Sequence, residues 1–217
     1  MELTDDNINQ VVELWFKDRT KCILEYGHIS NWNTSKVTNM SLLFCCREQF
    51  NEDISRWNVS NVTNMNFMFM YCKIFSSDLS NWNVGNVKDM SGLFYQCRSF
   101  NSDLSNWNVS NVTKMNSMFY QCLNFNCNLS NWNVSNVTST SCMLSFCEKF
   151  NSDISNWNVS NVSEMNYMFY KAKNFNINLN NWKINNPNKE KMFDGTKLSF
   201  YSIGYFLGYT PVPYWYF

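Results

Sequence analysis

Residues 103–127 read DLSNWNVSNVTKMNSMFYQCLNFNC, and variants of this 25-residue unit fill most of the 217-residue chain. The unit contains one tryptophan, which recurs every 25 residues without an insertion. The seven copies are Trp32, Trp57, Trp82, Trp107, Trp132, Trp157 and Trp182. Six full units cover residues 28–177, and a seventh, one residue shorter, ends near residue 197. A fixed period of roughly 20–50 residues is typical of proteins built from stacked repeats.

Apolar residues occupy the same places in each unit. In residues 103–127 they are Leu104, Trp107, Val109, Val112, Met115, Met118, Phe119, Cys122 and Phe125. A single unit cannot fold alone, because burying so few side chains does not offset the entropy lost when 25 residues are ordered. The units are therefore expected to stack and share one hydrophobic core, as in a solenoid.

The spacing within a unit predicts its local structure. Alternation at Trp107–Asn108–Val109 predicts a short strand, and equivalent strands of successive units would pair in parallel about 4.8 Å apart. The apolar spacing from Val112 to Phe119 predicts a short helix or 3₁₀ turns. The predicted fold class is thus an α/β solenoid, with a parallel β-sheet on one side and short helices or 3₁₀ turns on the other.

The two ends of the chain differ from the repeats, as caps of a repeat stack must. Residues 1–27 predict a helical N-terminal cap that starts after Thr4–Asp6 and stops at Gly27. Its apolar face would consist of Ile8, Val11, Val12 and Trp15. Residues 28–197 hold the seven repeats, and residues 198–217 form an aromatic C-terminal cap or tail. All three parts are expected to make one structural domain.

The consensus D-[LI]-S-N-W-N-V-S-N-V-T-x-M-x-x-M-F-x-x-C-x-x-F-N resembles the repeat of the BspA-like leucine-rich repeat family. Members occur as bacterial surface proteins and in large DNA viruses. The resemblance covers residues 28 to about 197 and implies a right-handed leucine-rich-repeat-like solenoid for protein interaction, without enzymatic activity. No signal peptide, lipoprotein cysteine or anchor is recognisable, so we expect a cytoplasmic location, for a viral protein the host-cell cytoplasm.

Composition excludes several classes of protein. The 17 Lys and Arg balance the 17 Asp and Glu, whereas a general nucleic-acid-binding protein needs a basic face. The stretch nearest to a transmembrane helix, the uncharged residues 198–217, contains two prolines and two glycines, which disfavour a membrane span. The single histidine, His28, is interpreted as an ordinary edge residue, so no catalytic set, cofactor or metal is predicted.

Two further columns of residues, the Asp or Asn before each Trp and the cysteines, can be interpreted either as structural or as sites of metal binding or disulfide formation. An Asp or Asn stands four residues before each Trp from Asp53 onward, and turn capping is favoured over calcium binding. The nine cysteines include a core column made of Cys72, Cys97, Cys122 and Cys147. Neighbours in that column would have Cβ atoms about 4.8 Å apart or more, too far for a disulfide, so free thiols in a reducing compartment are predicted.

The asparagines that flank each Trp are the predicted exposed face of the sheet. The candidate protein-binding residues are Asn58, Asn83, Asn108, Asn133 and Asn158, with the charged departures Arg56 and Lys183. The same amides could instead bond to each other in a ladder along the stack. Partner specificity could also lie in the variable helix-side column of Phe67, Gly92, Ser117, Cys142 and Tyr167, or in the aromatic tail.

The function favoured by these features is a non-catalytic repeat scaffold that binds another protein, as a monomer or small oligomer. The alternative is a cell-surface adhesion module, which would require export. An enzyme with its site at a cap is a third hypothesis, which a deep pocket lined by titratable groups would support. The sequence does not identify the partner.

Overall fold

The structure is a computed structural model that describes residues 2–198. Its regular elements lie near the N-terminus. They are β1 (Glu2–Thr4), α1 (Ile8–Lys17), α2 (Arg19–Tyr26), a 3₁₀ turn (Ile29–Asn31) and β2 (Asn33–Lys36). β1 pairs with β2 in parallel. Residues 37–198 consist of turns and bends, and single parallel bridges join one repeat to the next.

The strand predicted at each Trp is found only in the first repeat, where β2 begins directly after Trp32. The first repeat has the same turns around Trp32 as later repeats have around their Trp, and its strand exists because β1 pairs with it. The Trp57 N–H donates to the Ile54 carbonyl at 3.0 Å, and the Val62 N–H donates to the Val59 carbonyl at 2.9 Å. Parallel pairing occurs instead seven residues after each Trp, and six after Trp182 in the shortened last repeat. The bridges link in order Asn39, Asn64, Asp89, Lys114, Ser139, Glu164 and Asn188.

The segment predicted as a short helix or 3₁₀ turns is a run of turns whose N–H groups alternate between two kinds of partner. In residues 40–47 of the first repeat, the N–H groups of Leu43, Cys45 and Arg47 donate to carbonyls three residues back. The N–H groups of the intervening residues donate to carbonyls of the second repeat at 2.8–3.0 Å. These donors are Met40, Leu42, Phe44 and Cys46. Of the two predicted alternatives, a continuous helix does not form in residues 40–47, because half of these donors bond to the next repeat.

Left-handed backbone positions recur in these turns. Leu42 has a φ of 59° and Cys46 a φ of 62°, and equivalent residues of later repeats repeat these values. Each is the third residue of a hydrogen-bonded turn, and a positive φ there is the feature of a type II turn. The side chains at these positions include Phe, Ser, Tyr and Lys, for which this conformation costs roughly 1–2 kcal/mol. The hydrogen bonds between repeats offset that cost.

The apolar columns form one continuous core, which confirms the prediction that Trp and Phe residues lie inside. Phenylalanine rings stack along the repeats: Phe94 lies 3.9 Å from Phe100 and 5.7 Å from Phe119, measured between ring centroids. Each Trp from Trp57 onward also connects two repeats, since its indole N–H donates to a carbonyl of the repeat before it, whereas Trp32 donates to the Gly27 carbonyl of the cap. For Trp107 the acceptor is the Leu79 carbonyl at 3.0 Å. Whether these contacts wind into a right-handed solenoid stays a prediction.

Helix α1 packs on the first repeat through the predicted face, Ile8, Val11, Val12 and Trp15, all buried. Trp15 meets Trp32 edge to face, with 5.8 Å between ring centroids. Gly27, with a φ of 77°, ends α2 as expected. The start of α1 differs from the prediction, because its N-terminal flanking residue is Asn7 and not one of Thr4–Asp6.

Asp5 instead completes the hydrogen bonds of the first repeat. In later repeats the N–H of the residue six after Trp donates to the preceding repeat, as when Thr63 donates to the Thr38 carbonyl at 2.8 Å. The first repeat has no predecessor. There Asp5 Oδ1 accepts from the Thr38 N–H at 2.8 Å and from the Asn39 N–H at 3.0 Å. A carboxylate therefore occupies the place of a missing backbone carbonyl.

Stability should depend on the charge of Asp5 in acid solution. Partial burial alone would raise the pKa of Asp5, but the hydrogen bonds from Thr38 and Asn39 outweigh it and hold the pKa below its ordinary value of 3.8. A lowered folded-state pKa stabilises the protein above the unfolded pKa, and this contribution is lost as pH falls through the folded pKa. Asp5→Asn should cost about 1 kcal/mol at pH 7, because solvent weakens bonds to an exposed carboxylate.

Urea titrations of the wild type and Asp5→Asn at pH 7, 5 and 3 measure this effect. The difference in unfolding free energy should be constant at the two higher pH values and should shrink at pH 3. Asp6→Asn, at the neighbouring exposed position, is the control. A difference that persists unchanged at pH 3 would show that the Asp5 charge has no part in it.

The predicted C-terminal cap or tail, residues 198–217, lies almost wholly outside the described residues, which end at Leu198. Within them, Pro187 takes the place of the repeated valine and is buried. The seventh repeat still accepts backbone bonds from the sixth, for example from the Met165 N–H to the Asn188 carbonyl at 2.7 Å. Neither helix of residues 2–198 is long and apolar enough to cross a lipid bilayer. The three-part division of the chain stays a prediction.

Candidate functional site

The predicted asparagine face is exposed, but its amides do not bond to one another. Asn58 Oδ1 accepts from the Ser60 N–H at 3.0 Å, and Asn108 Oδ1 accepts from the Ser110 N–H at 3.2 Å. Asn83, Asn133 and Asn158 make the same turn. The predicted ladder at these positions is therefore wrong, because each amide oxygen is satisfied two residues along its own chain. Arg56 and Lys183 are also exposed, and a binding role for this face stays a prediction.

A different asparagine column connects the repeats. The Asn111 side-chain N–H donates to the Gly85 carbonyl at 2.7 Å, across to the preceding repeat. Equivalent bonds come from Asn61, Asn86, Asn136, Asn161 and Asn185. The sequence carried a signal for this role, since the first repeat, which has no predecessor to bond to, has Lys36 at this position.

The Asp and Asn residues before each Trp cap turns, as predicted. Asp103 Oδ1 accepts from the Ser105 N–H at 2.9 Å, and this bond holds the pKa of Asp103 below its ordinary value. His28 does the same in the first repeat, where Nδ1 accepts from the Ser30 N–H. Within residues 2–198, no group of three or more His, Cys, Asp or Glu side chains is arranged to hold a metal ion.

All nine cysteines are free thiols, and this confirms the absence of disulfides in the core column. The thiols there donate hydrogen bonds backward along the stack: Cys97 Sγ lies 3.0 Å from the Phe69 carbonyl, and Cys122 Sγ lies 3.0 Å from the Phe94 carbonyl. Burial raises the pKa of both thiols far above the ordinary value. They are structural donors and not nucleophiles.

The order in which the thiols react should therefore distinguish surface cysteines from core cysteines. Under native conditions, iodoacetamide should label Cys46 first, because it is exposed. Partial burial and the neighbouring Cys46 thiol, 3.4 Å away, raise the pKa of Cys45 to about 11, so Cys45 should react later. The core column should stay unlabelled until urea unfolds the chain. Peptide mass spectrometry gives the order, and early labelling of Cys122 would contradict the core assignment.

A polar groove of about 680 Å³ crosses the row of parallel bridges in the fourth to seventh repeats. Residues that line it include Lys114, Ser117, Ser139, Cys142, Glu164 and Asn166. Ser139 Oγ donates to Glu164 Oε2 at 3.0 Å, and Ser141 Oγ donates to Asn166 Oδ1 at 2.6 Å. The groove combines hydroxyl and amide groups with one cation and one anion. It belongs to the variable side of the repeat, one of the surfaces that the sequence left open.

The groove is open because the variable column holds small side chains there. Ser117 and Cys142 line it, whereas the same column carries Phe67 and Tyr167 on either side. Phe67 leans along the column onto the next repeat: a Cβ atom added to Gly92 would lie 2.2 Å from the Phe67 ring. All five residues share a φ of 52–58°, so size and not backbone shape changes along the column.

The contact between Phe67 and Gly92 is testable with a double-mutant cycle. Gly92→Ala should cost about 2–4 kcal/mol, the sum of a left-handed alanine and an overpacked ring. In Phe67→Ala/Gly92→Ala the ring is gone, so the second alanine should add only about 1–2 kcal/mol. Urea unfolding of the four proteins gives the coupling energy. Additive effects would show that the ring does not fill this space.

An aromatic stripe lies beside the groove and was not predicted. It consists of Tyr71, Tyr95, Tyr120, Phe146 and Tyr170, all partly exposed. Neighbouring rings touch throughout, with centroid distances of 4.6 Å between Tyr95 and Tyr120 and 5.4–5.6 Å for the other pairs. The side chains come from two adjacent positions of the repeat, which hides the column in the sequence. Partial burial, with the neighbouring tyrosines, raises the pKa of Tyr95, so it stays a neutral phenol at neutral pH.

Comparison with protein-family models matches two overlapping stretches, residues 11–122 and 102–204, to a family described as "Mycoplasma protein of unknown function, DUF285". Together these stretches cover most of the chain. The chain belongs to the DUF285 family. Membership supports a BspA-related repeat protein, in agreement with the resemblance of the repeat unit at that level. A comparison with curated proteins found no significant match.

The DUF285 family description does not assign a function. The matched stretches include the first repeat, the groove and the whole aromatic stripe, so these surfaces lie within the family's own domain. Function has to be argued from those surfaces.

Proposed function

We propose that this DUF285 protein is a non-catalytic repeat scaffold that binds another protein, on a right-handed solenoid of the leucine-rich-repeat type. The observation that carries the proposal is the aromatic stripe. Five aromatic side chains in unbroken contact lie partly exposed along the stack, and Tyr is among the residues most enriched at the centres of protein interfaces. A tyrosine combines a large apolar surface with a hydroxyl group and loses little conformational entropy on binding.

The contrast between constant core positions and variable surface positions within the repeat supports the same function. Trp, Phe and Cys side chains and the backbone bonds between repeats are nearly invariant from one copy to the next. The stripe and the variable column change. A frame that stays constant while its surface varies is the arrangement that repeat proteins use for recognition.

Site-specific photocrosslinking in the native cell tests this proposal. A photoreactive phenylalanine derivative replaces Tyr120 in the stripe or Asn133 in the asparagine face, and Leu24, which is 82% exposed on α2, provides the control position. A specific protein adduct is expected from position 120. If position 120 yields no adduct beyond that of position 24, the stripe is not a protein-binding surface and the proposal fails.

A further inference from the structure

We infer that the polar groove binds an extended segment of the protein partner, one that carries an acidic and a basic side chain about three residues apart. This inference rests on the proposed function and assigns it a second contact surface. Lys114 and Glu164 lie in the row of parallel bridges and are separated by one repeat, that of Ser139. Two repeats at the usual spacing of paired strands place them about 10 Å apart along the groove.

Both charges are available to a ligand. Lys114 is exposed and has no ion pair within residues 2–198. Glu164 is exposed and accepts one hydrogen bond from Ser139 Oγ, which leaves acceptor capacity on its carboxylate. About 10 Å is the span of three residues in an extended segment of the polyproline II type, which rises roughly 3.1 Å per residue and places residues three apart on the same face.

The opposite signs point to a peptide. A neutral glycan would leave both charges unpaired, and an acidic glycan or a nucleic acid would pair with Lys114 and be repelled by Glu164. A polypeptide supplies both signs within one segment. Its backbone also supplies N–H donors and carbonyl acceptors, which match the Ser117 hydroxyl and the Asn166 amide of the lining.

The test selects binders from a phage-displayed library of random peptides on the full chain. Selected peptides should carry an acidic and a basic residue two to four positions apart. For the best peptide, synthesised with capped ends, fluorescence anisotropy should show binding at least tenfold weaker with Lys114→Glu and with Glu164→Lys. Replacing the peptide's acidic residue by lysine should restore binding to Lys114→Glu. Lys149→Glu, at an exposed position outside the groove, is the matched control.

A variant that blocks the groove without a change of charge keeps the test valid if the charge substitutions disturb folding. Ser117→Tyr fills the groove, and it should fold, because Tyr167 occupies the same column with the same left-handed backbone and is followed in the next repeat by Lys191, a residue other than glycine. It should abolish peptide binding while circular dichroism and the unfolding midpoint stay near the wild-type values.

The inference is overturned if no peptide is enriched, if Lys114→Glu and Lys149→Glu behave alike, or if Ser117→Tyr binds as the wild type does. Binding of neutral oligosaccharides on a glycan array in place of peptides would overturn it too. These outcomes are distinct from failure of the proposed function, because a partner crosslinked at position 120 would remain when the groove variants have no effect.

Discussion

Trp107→Ala is expected to lower the free energy of unfolding by more than any other single truncation in the middle of the chain. The side chain is 3% exposed and packs against Phe94 with 6.3 Å between ring centroids. Truncation of a large aromatic residue in a close-packed core costs about 3–5 kcal/mol. Loss of the indole N–H also leaves the Leu79 carbonyl without this donor, which costs about 1 kcal/mol or more in a buried setting.

Trp107→Phe separates these two contributions. The phenylalanine ring retains most of the apolar volume and removes only the N–H, so its cost should be about 1–2 kcal/mol. Urea denaturation followed by circular dichroism gives both values, and Asn106→Ala, at the exposed position just before Trp107, is the surface control. A midpoint for Trp107→Ala that matches the control would contradict the core assignment.

The position of Trp107 in the fourth of seven repeats predicts a second effect. In a linear array each repeat contacts only its neighbours, so a weakened central interface allows the two halves to unfold separately. The transition of Trp107→Ala should therefore broaden, with a lower dependence on denaturant than in the wild type. Hydrogen exchange should locate the first loss of protection in the fourth repeat.

The sequence predicted the core but not the path of the backbone through it. The 25-residue period, with the residue type found at each position of the repeat, identified Trp107, Phe94 and Cys122 as buried. Burial could be predicted because it depends on which side chain stands at which position of the repeat. Alternation also predicted a strand at Trp107–Val109, where the structure has turns. Two turn hydrogen bonds flank each Trp. Capping by the Asp or Asn before it was predicted, whereas the asparagine after it was assigned to the exposed face of a strand.

The left-handed positions could not be predicted from residue type. Phe67, Ser117 and Tyr167 are not residues that normally signal a positive φ, unlike Gly and Asn. Their conformation is imposed by hydrogen bonds to the next repeat, which a single unit does not reveal. The groove and the aromatic stripe follow from these turns, so they were missed with them.

Differences between the first repeat and the others were an unused signal. The asparagine and cysteine columns bond backward to the preceding repeat, and in the first repeat, which has no predecessor, they become Lys36 and Arg47. Such departures distinguish residues that connect repeats from those that serve their own turn. The Asp and Asn column before each Trp behaves differently, since His28 replaces it in the first repeat and makes the same local bond.

Val12→Asp is expected to detach the N-terminal cap and cause self-association. Val12 is 1% exposed at the contact between α1 and the first repeat, where a carboxylate would lie among apolar side chains. Burying an unpaired charge is costly enough that α1 should leave the surface instead. Detachment would expose Trp32 and Phe50, which now contact Trp15 and Phe16.

An uncovered first repeat presents an apolar cross-section together with backbone acceptors that in other repeats receive bonds from the repeat before. Such an edge templates pairing with another chain. Size-exclusion chromatography with light scattering should therefore show concentration-dependent oligomers for Val12→Asp, together with an unfolding midpoint well below that of the wild type. Asn9→Asp adds the same charge on the exposed side of α1 and should behave as the wild type does. If Val12→Asp has the mass and midpoint of Asn9→Asp, α1 does not protect the end of the stack, and its apolar face must stabilise the protein in another way.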